Sequence, residues 1–164
     1  MIRPCRQSDA SRICEIYNHY VRETVITFEE EPVAEGEMAQ RIERVTKSHP
    51  WLVFEENGAI AGYAHAGPWH PRTAYRFTAE STIYLAPEAT GRGIGSELYA
   101  ALLTELRRRK IHCVIGAIAL PHPVSVGLHE KLGFSKIGHI KEMGYKLGRW
   151  VDVGYWQLLF KSYR

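Results

Sequence analysis

Three glycines at alternate positions, Gly91, Gly93 and Gly95, stand between a predicted strand and a predicted helix, and they constrain the fold more than any other feature. Successive glycines let the backbone approach a ligand and direct its N–H groups outward. The N-terminus of the following helix favours an anion, so a pyrophosphate group suits this position. A tight turn whose glycines pack against the helix explains the same residues, because short glycine motifs also arise by chance.

Two familiar phosphate-binding motifs do not match this segment. A Walker loop requires G-x-x-x-x-G-K-[ST], and no lysine follows Gly95. A dinucleotide fingerprint requires a glycine where this chain has Leu98, and an acidic residue after the next strand. That place is taken by Pro121-His122-Pro123. The glycines therefore predict a phosphate site of another kind.

Hydrophobic periodicity and turn residues predict an α/β chain with one mixed sheet flanked by helices. The predicted order begins with a strand and two helices. Helices are predicted over residues 8–21, 36–48, 91–110 and 125–132, and strands over 51–54, 59–67, 79–85, 112–119, 135–142 and 151–160. Turn signals are spread evenly along the chain, which predicts a single domain over residues 1–164.

Composition narrows the classes of function. The chain has 164 residues and a formal net charge of +3, without the clustered basic residues typical of a nucleic-acid binder. We predict neither a nucleic-acid partner nor a membrane partner, because no apolar run is long enough to span a bilayer. Cys5, Cys14 and Cys113 form no C-x-x-C pair, and the histidines form no H-E-x-x-H pattern. These patterns predict reduced thiols, no metal and, with no visible signal peptide, a cytoplasmic protein.

The glycine segment carries a family resemblance. Thr90 to Gly95 resembles the acetyl-CoA signature Q/R-x-x-G-x-G/A of the GNAT family of N-acetyltransferases, and Leu128 to Phe134 resembles the family's segment that ends in Gly-Phe. The resemblance implies the GNAT acyl-CoA N-acyltransferase fold and acetyl-CoA as the co-substrate. Two residues depart from the pattern. Thr90 replaces the usual Gln or Arg, and His122 replaces an Asn that contacts the pantetheine arm.

The match is closer to the phosphinothricin and methionine sulfoximine acetyltransferase branch of that family. Four segments carry it, at residues 17–20, 68–75, 80–84 and 144–157. This resemblance implies acetyl transfer to the α-amine of a small amino-acid-like substrate such as phosphinothricin, methionine sulfoximine or methionine sulfone. It also implies a homodimer and a role in antibiotic or herbicide resistance.

The same resemblance implies the site residues. Glu80 is the candidate general base that deprotonates the amine, and His129 is the candidate acid or second base. Binding of acetyl-CoA is expected at Ile83, Tyr84, Leu85, Gly91, Arg92, Gly93, Ile94, Gly95, Ser96, His122 and Ser125. Binding of the substrate is expected at Phe28, Arg72, Thr73, Ala74 and Tyr75, with the Arg72 guanidinium pairing with a carboxylate or phosphinate.

Each of these residues also has an ordinary explanation. Glu80 could face solvent on an edge strand, His129 could lie on a helix face, and Arg72 could be a surface charge. Trp150 and Trp156 suit the core or a dimer interface. Two other functions compete with the small-amine enzyme, namely acetylation of a peptide or protein and CoA binding without catalysis.

Overall fold

The computed structural model describes residues 1–161 and contains one seven-stranded sheet with four α-helices. The strands are β1 (Ile2–Pro4), β2 (Trp51–Glu56), β3 (Ala59–Pro68), β4 (Thr78–Leu85), β5 (Cys113–Leu120), β6 (Ser135–Lys146) and β7 (Arg149–Leu159). The helices are α1 (Ala10–Glu23), α2 (Glu35–Thr46), α3 (Ile94–Arg108) and α4 (Pro123–Lys131).

The strand order in the sheet is β1-β2-β3-β4-β5-β7-β6. Neighbouring strands are antiparallel except β4 and β5, which run parallel with α3 as their crossover. This arrangement confirms the predicted mixed sheet flanked by helices. It also makes β4 and β5 central strands, so the predicted alternative of an edge strand around Glu80 is wrong.

Helices cover both faces of the sheet, as the alternation of side chains along β4 shows. Ser81 hydrogen-bonds to Tyr99 of α3, whereas the Tyr84 ring lies 5.2 Å from the ring of Tyr17 in α1. The predicted inner stripe of α3 is confirmed, because Leu98, Leu102 and Leu106 are fully buried.

The C-terminal hairpin differs from its prediction. β6 continues to Lys146 and β7 begins at Arg149, so the strands extend beyond the predicted ends at residues 142 and 151. A bulge at Glu142 lets the pairing continue, because its backbone turns to positive φ and its N–H donates to Asp152 at 2.8 Å. Trp156 is buried, whereas Trp150 is 61% exposed near the hairpin turn, so the core interpretation holds for the first and fails for the second.

Candidate active site

The two central parallel strands separate part-way along their length. Pairing between β4 and β5 covers only Thr78 to Glu80 opposite Cys113 to Ile115. Beyond that point β4 stays paired with β3 as far as Leu85, and β5 stays paired with β7 as far as Leu120. The strands therefore diverge into a cleft, in which the facing edges of β4 and β5 leave backbone groups free to bind an extended ligand.

A cavity of about 380 Å³, here called the cleft cavity, occupies this divergence. It collects residues that are distant in sequence, from the α1–α2 loop, β4, β5, α4 and the β6–β7 hairpin. The predicted site residues among its lining are Phe28, Glu80, Ile83, Tyr84, His122, Ser125 and His129. Both candidate catalytic residues thus reach one cavity from separate elements.

Glu80 lies at the last position of β4 that pairs with β5, beside Gly67 of β3 and Ile115 of β5. Burial raises the pKa of Glu80 above its usual value of 4.5, against a smaller opposing effect from His70. Within residues 1–161 no hydrogen bond to a protein group contributes to that shift. A carboxylate in this setting is a stronger base than one in water, and it can accept a proton from a bound amine.

His129 is 4% exposed, and both of its ring nitrogens have partners. Its Nδ1 lies 2.7 Å from the carbonyl oxygen of Ser125, and its Nε2 lies 3.1 Å from the hydroxyl of Tyr99. Because a carbonyl only accepts, Nδ1 carries the proton in the neutral ring, and Nε2 accepts from Tyr99. Burial lowers the pKa of His129, although the Ser125 carbonyl opposes that shift.

The hydrogen-bonded chain continues across the cleft. The Tyr99 hydroxyl lies 2.6 Å from Oγ of Ser81, which also reaches the Ile115 carbonyl at 3.3 Å. Ser81 and His129 both line the cleft cavity, one from β4 and the other from α4. Burial raises the pKa of Tyr99, so its hydroxyl stays protonated. The chain therefore joins the two walls of the cavity through neutral groups.

Gly116 makes room for the His129 ring. A Cβ built at Gly116 would lie 2.5 Å from Nε2 of His129, closer than side chains in proteins approach. Because residue 116 has no side chain, the His129 ring can pack on β5 and hydrogen-bond to Tyr99.

The glycine loop lies at the start of α3 and outside the lining of the cleft cavity. Gly91 and Gly93 have φ of +72° and +83°, which explains why α3 begins at Ile94 and not at the predicted Gly91. No side chain caps the first turn of α3, so its N–H groups remain available to an anion. Arg92 hydrogen-bonds to Glu56 at 2.7 Å, and Ser96 lies in the first helical turn.

Close packing links this loop to the cleft strand. A Cβ on Gly95 would lie 3.4 Å from Leu85, whose carbonyl accepts from the Tyr20 hydroxyl at 2.5 Å. The loop therefore stands at the end of β4, where a phosphate-bearing ligand that runs along the strand would place its charge.

The two departures from the family pattern have local hydrogen-bond roles. Thr90 is exposed, and its hydroxyl donates to the Pro87 carbonyl at 2.9 Å. His122 caps α4, because its Nδ1 accepts from the N–H of Ser125 at 3.3 Å. Burial lowers the pKa of His122. A neutral His122 with Nδ1 as acceptor has an Nε2–H that can donate to a ligand in the cavity.

The predicted substrate residues divide into two groups. Phe28 lines the cleft cavity, and its ring occupies the space that a Cβ on Gly144 would need. Nearby, Nζ of the buried Lys146 donates to the Thr27 carbonyl at 2.7 Å, which ties the α1–α2 loop to β6. Contacts with the C-terminal hairpin therefore fix the position of Phe28.

The other predicted substrate residues do not line the cavity. Arg72, Thr73, Ala74 and Tyr75 are exposed, the last three in a 3₁₀ turn between β3 and β4. Aromatic contacts connect this loop to the site, since Tyr75 lies 5.2 Å from His70, which lies 5.2 Å from Trp69. Trp69 in turn lies 6.1 Å from Tyr155, a residue of the cavity lining.

Sequence reasoning did not find Ser81, Tyr99 or Gly116. Tyr99 follows Leu98 of the apolar stripe and has no pattern that separates it from a core aromatic residue. Ser81 lies next to Glu80, so its position was the one available signal. The Gly116 contact depends on how α4 packs against β5, which local sequence does not report.

Residues 1–161 contain no group of three or more His, Cys, Asp or Glu side chains arranged to hold a metal ion. No helix among them has the length and apolar character needed to cross a membrane.

Comparison with known proteins agrees with this geometry. The family model described as the acetyltransferase (GNAT) domain matches residues 2–154. A phosphinothricin N-acetyltransferase of Streptomyces viridochromogenes is 41% identical over 160 residues, which cover 98% of this chain and 87% of the relative. An L-methionine sulfoximine/L-methionine sulfone acetyltransferase of Salmonella typhimurium is 35% identical over 158 residues, covering 96% and 92%.

A solved structure shows the same fold. The phosphinothricin acetyltransferase of Sinorhizobium meliloti, crystallised with acetyl-CoA, superimposes with a TM-score of 0.94 at 40% identity, over 97% of this chain and 87% of that one. The family match over nearly the whole chain confirms the predicted resemblance, and the chain belongs to the GNAT family of acetyl-CoA-dependent N-acetyltransferases.

Proposed function

We propose that this protein transfers the acetyl group of acetyl-CoA to the α-amine of a small amino-acid-like substrate by direct attack of the amine on the thioester. The observation that carries the proposal is the meeting of Glu80 and His129 in one cavity at the β4–β5 divergence. The names of the relatives support the substrate class, since they are phosphinothricin and methionine sulfoximine/sulfone acetyltransferases.

Glu80 serves as the general base in this proposal. An α-ammonium group is not a nucleophile, so it must lose a proton before it attacks. The raised pKa of Glu80 supports the role, because a buried carboxylate gains more from taking up that proton. A water molecule between the carboxylate and the amine serves equally well in this arrangement.

His129 is better suited to accept a proton than to donate one. Its Nδ1–H is held by the Ser125 carbonyl, and the lone pair of its Nε2 points to Tyr99. Of the two predicted roles, acid and second base, this bonding supports the second. The Ser81–Tyr99–His129 chain then provides a path along which a proton can shift between the cavity walls.

The acetyl-CoA site follows the cleft from the cavity to the start of α3. Acetyl-CoA supplies the activated acetyl thioester when it is bound. The unpaired edge of Ile83, Tyr84 and Leu85 faces the pantetheine arm, with His122 and Ser125 on the opposite wall. The loop from Gly91 to Ser96 receives the pyrophosphate, as its positive-φ glycines and uncapped helix N-terminus support.

The substrate carboxylate or phosphinate pairs with Arg72 in the proposal. The exposed loop of Arg72 to Tyr75 is one aromatic layer removed from the cavity. The pairing therefore requires closure of this loop or the loop of a second copy. Phe28 forms the wall beside the reacting amine, and the hydrogen bond from Lys146 to Thr27 keeps it there.

We also propose that the protein is a homodimer with one catalytic domain per chain and that it is cytoplasmic. The C-terminal hairpin exposes large apolar side chains, among them Ile140, Tyr145, Leu147 and Trp150, which supports a homodimer through this face. The family match over residues 2–154 and the single sheet support one catalytic domain over the whole chain. The three free cysteines suit a reducing compartment, and we place the protein in the cytoplasm.

Release of the CoA thiol tests the substrate class. The purified protein is assayed with acetyl-CoA and with phosphinothricin, methionine sulfoximine, methionine sulfone, ordinary amino acids and short peptides. We expect turnover with the first three and little with peptides. Turnover on peptides alone would replace the substrate class, and acetyl-CoA binding without turnover on any amine would favour a non-catalytic module.

A further inference from the structure

The loop between α1 and α2, residues 24–34, carries one wall of the cleft cavity. Ile26, Thr27 and Phe28 line the cavity, and Phe28 is the wall beside the amine in the proposed acetyl transfer. Phe28 is 41% exposed, so burial in the core does not fix its position. A wall that is already ordered binds a substrate more tightly, because no ordering is needed at each binding event.

Both ends of this loop are held by α1. At its start, the Thr24 hydroxyl donates to the Tyr20 carbonyl at 2.8 Å and accepts from the Ile26 N–H at 3.1 Å. Near its end, the Asn18 side chain donates to the Val33 carbonyl at 2.9 Å and accepts from the Val33 N–H at 2.8 Å. The middle of the loop, which carries the substrate wall, is therefore positioned by other contacts.

Glu29 holds the middle of the loop from outside the lining of the cleft cavity. Two guanidinium nitrogens of Arg41 in α2 donate to its two carboxylate oxygens, at 2.7 and 2.9 Å. The Tyr17 hydroxyl donates to one of those oxygens and lies 2.8 Å from Oγ1 of Thr27. That Oγ1 accepts from the Glu29 N–H at 3.3 Å. Both chain neighbours of Phe28 are thus bonded into one cluster.

The charges in this cluster suit its hydrogen bonds. The Arg41 guanidinium holds the pKa of the Glu29 carboxyl below its usual value of 4.5, although burial opposes that shift. Burial, together with the Glu29 carboxylate, raises the pKa of Tyr17 to about 12. Glu37 also accepts from Arg41, at 2.5 Å, and orients the guanidinium. A single surface ion pair contributes little, but a bidentate arginine within such a network fixes its partners in space.

We propose that Arg41 is a positioning residue for substrate binding, which acts through Glu29 to hold Phe28 at the cleft cavity. Arg41 itself lies outside the lining of that cavity. On the other side of the loop, Nζ of Lys146 in β6 donates to the Thr27 carbonyl at 2.7 Å. The loop is thus clamped between α2 and β6. This role rests on the proposed function, in which Phe28 contacts the substrate.

Steady-state kinetics of Arg41→Gln tests the role. The amine is varied at saturating acetyl-CoA, with whichever of phosphinothricin, methionine sulfoximine and methionine sulfone is turned over best. A wall that contacts substrate and transition state equally changes KM and not kcat. We therefore expect KM for the amine to rise about three- to tenfold, with kcat and KM for acetyl-CoA unchanged.

Two further variants separate the Arg41–Glu29 pair from a general loss of charge. Glu29→Gln should raise KM for the amine as Arg41→Gln does, and the double variant should add little, because both changes break the same pair. Arg44→Gln is the matched control. Arg44 lies in the same helix, is exposed and forms no ion pair within residues 1–161, so its variant should keep the wild-type KM.

Ring signals of phenylalanine report the position of the loop without any turnover. In protein labelled with ring-¹³C phenylalanine, the Phe28 signal is the one of five that is lost in Phe28→Leu. We expect Arg41→Gln to shift or broaden it, whereas Arg44→Gln leaves it in place. Phe134, buried and stacked 5.7 Å from Tyr99, should keep its signal in both variants, which also shows that they are folded.

Three results overturn the proposal. A Phe28 signal that is unmoved in Arg41→Gln means that the loop does not depend on this residue. Equal effects of Arg44→Gln reject the specific pair, and a fall in kcat at constant KM rejects the substrate wall. If the wild type turns over no amine, the proposed function fails, and the Phe28 signal still decides whether Arg41 holds the loop.

Discussion

The cleft cavity and a second cavity of about 420 Å³ between α2 and the sheet, here called the α2 cavity, share the side chains of Thr82 and Tyr84. They differ in how the polar groups around them are satisfied. In the cleft, Ser81, Tyr99 and His129 hydrogen-bond to one another and to backbone carbonyls. Beside the α2 cavity, Nε1 of Trp51 and Nδ1 of His65 are buried within the wall and have no hydrogen-bond partner among residues 1–161.

The difference shows which buried polar groups are preorganised for chemistry. Groups that the protein already satisfies are fixed before a ligand arrives, which suits proton transfer because no reorganisation is needed. A buried polar group without a partner instead costs about 1–3 kcal/mol of stability. The Glu80 carboxylate is the exception in the cleft, as expected of a group that must receive a proton from outside.

The largest expected effect is the loss of the proposed base. Glu80→Gln keeps the shape of the side chain and removes its basicity, so we expect kcat/KM for acetyl transfer to fall by roughly 100- to 10,000-fold. Acetyl-CoA affinity, measured by calorimetry, should change little. Glu105→Gln, at a half-buried glutamate of α3 that pairs with Arg108, is the control. Wild-type rates in Glu80→Gln would remove Glu80 from the chemistry.

Gly116→Ala breaks the packing on which the cleft network depends. The added Cβ meets the His129 ring, so we expect a loss of about 1–3 kcal/mol in unfolding free energy together with reduced turnover. The matched control is Gly127→Ala in α4, where nothing lies within 4 Å of the new Cβ. That change should stabilise the helix by about 0.5–1 kcal/mol. Equal stability of the two variants, measured by urea denaturation, contradicts the packing argument.

Tyr99→Phe removes the central hydroxyl of the chain. Oγ of Ser81 and Nε2 of His129 would both lose a partner, so we expect about 1–3 kcal/mol lower unfolding free energy. Tyr75→Phe provides the control, because that tyrosine is 41% exposed in the loop between β3 and β4. If both variants unfold at the same urea concentration, the network contributes nothing to the fold.

Acid should lower the stability of the folded protein through His65. Its folded pKa of about 4 lies below the ordinary value of 6.5, so the unfolded chain binds a proton in this range and the folded chain does not. Unfolding free energy therefore falls as pH drops from 6.5, by about 1 kcal/mol at pH 5.5 from His65 alone. Burial also lowers the pKa of His129 and of His122. His65→Phe should therefore make the fall of unfolding free energy with pH shallower without abolishing it. An unchanged slope in that variant rejects the assignment to His65.

The sequence predicted the elements and the location of the candidate catalytic pair better than the contacts between elements. Periodicity identified α3 and its buried stripe because one face of a helix is a local property. The bulge at Glu142 and the exposure of Trp150 depend on how β6 pairs with β7, so residue type alone did not indicate them. The Tyr99–His129 bond and the unpartnered pair on β2 and β3 need the relative positions of separate strands and helices.

The family resemblance supplied candidate functional residues that local patterns could not. It identified Glu80 and His129, which the structure brings to one cavity. It also named the loop of Arg72, which lies outside that cavity in this chain. Closure of a loop or binding by a second subunit depends on contacts beyond local sequence, and the sequence of one chain carries no direct signal of it.

The pH dependence of kcat/KM for acetyl transfer, compared between the wild type and Glu80→Gln, tests the central claim most directly. Because burial raises the pKa of Glu80, the wild-type rate should rise with pH through an apparent pKa above 4.5. The variant should lose that limb and keep the dependence that arises from the substrate amine. An acidic limb that persists unchanged in Glu80→Gln would show that another group takes the proton, and would contradict the account.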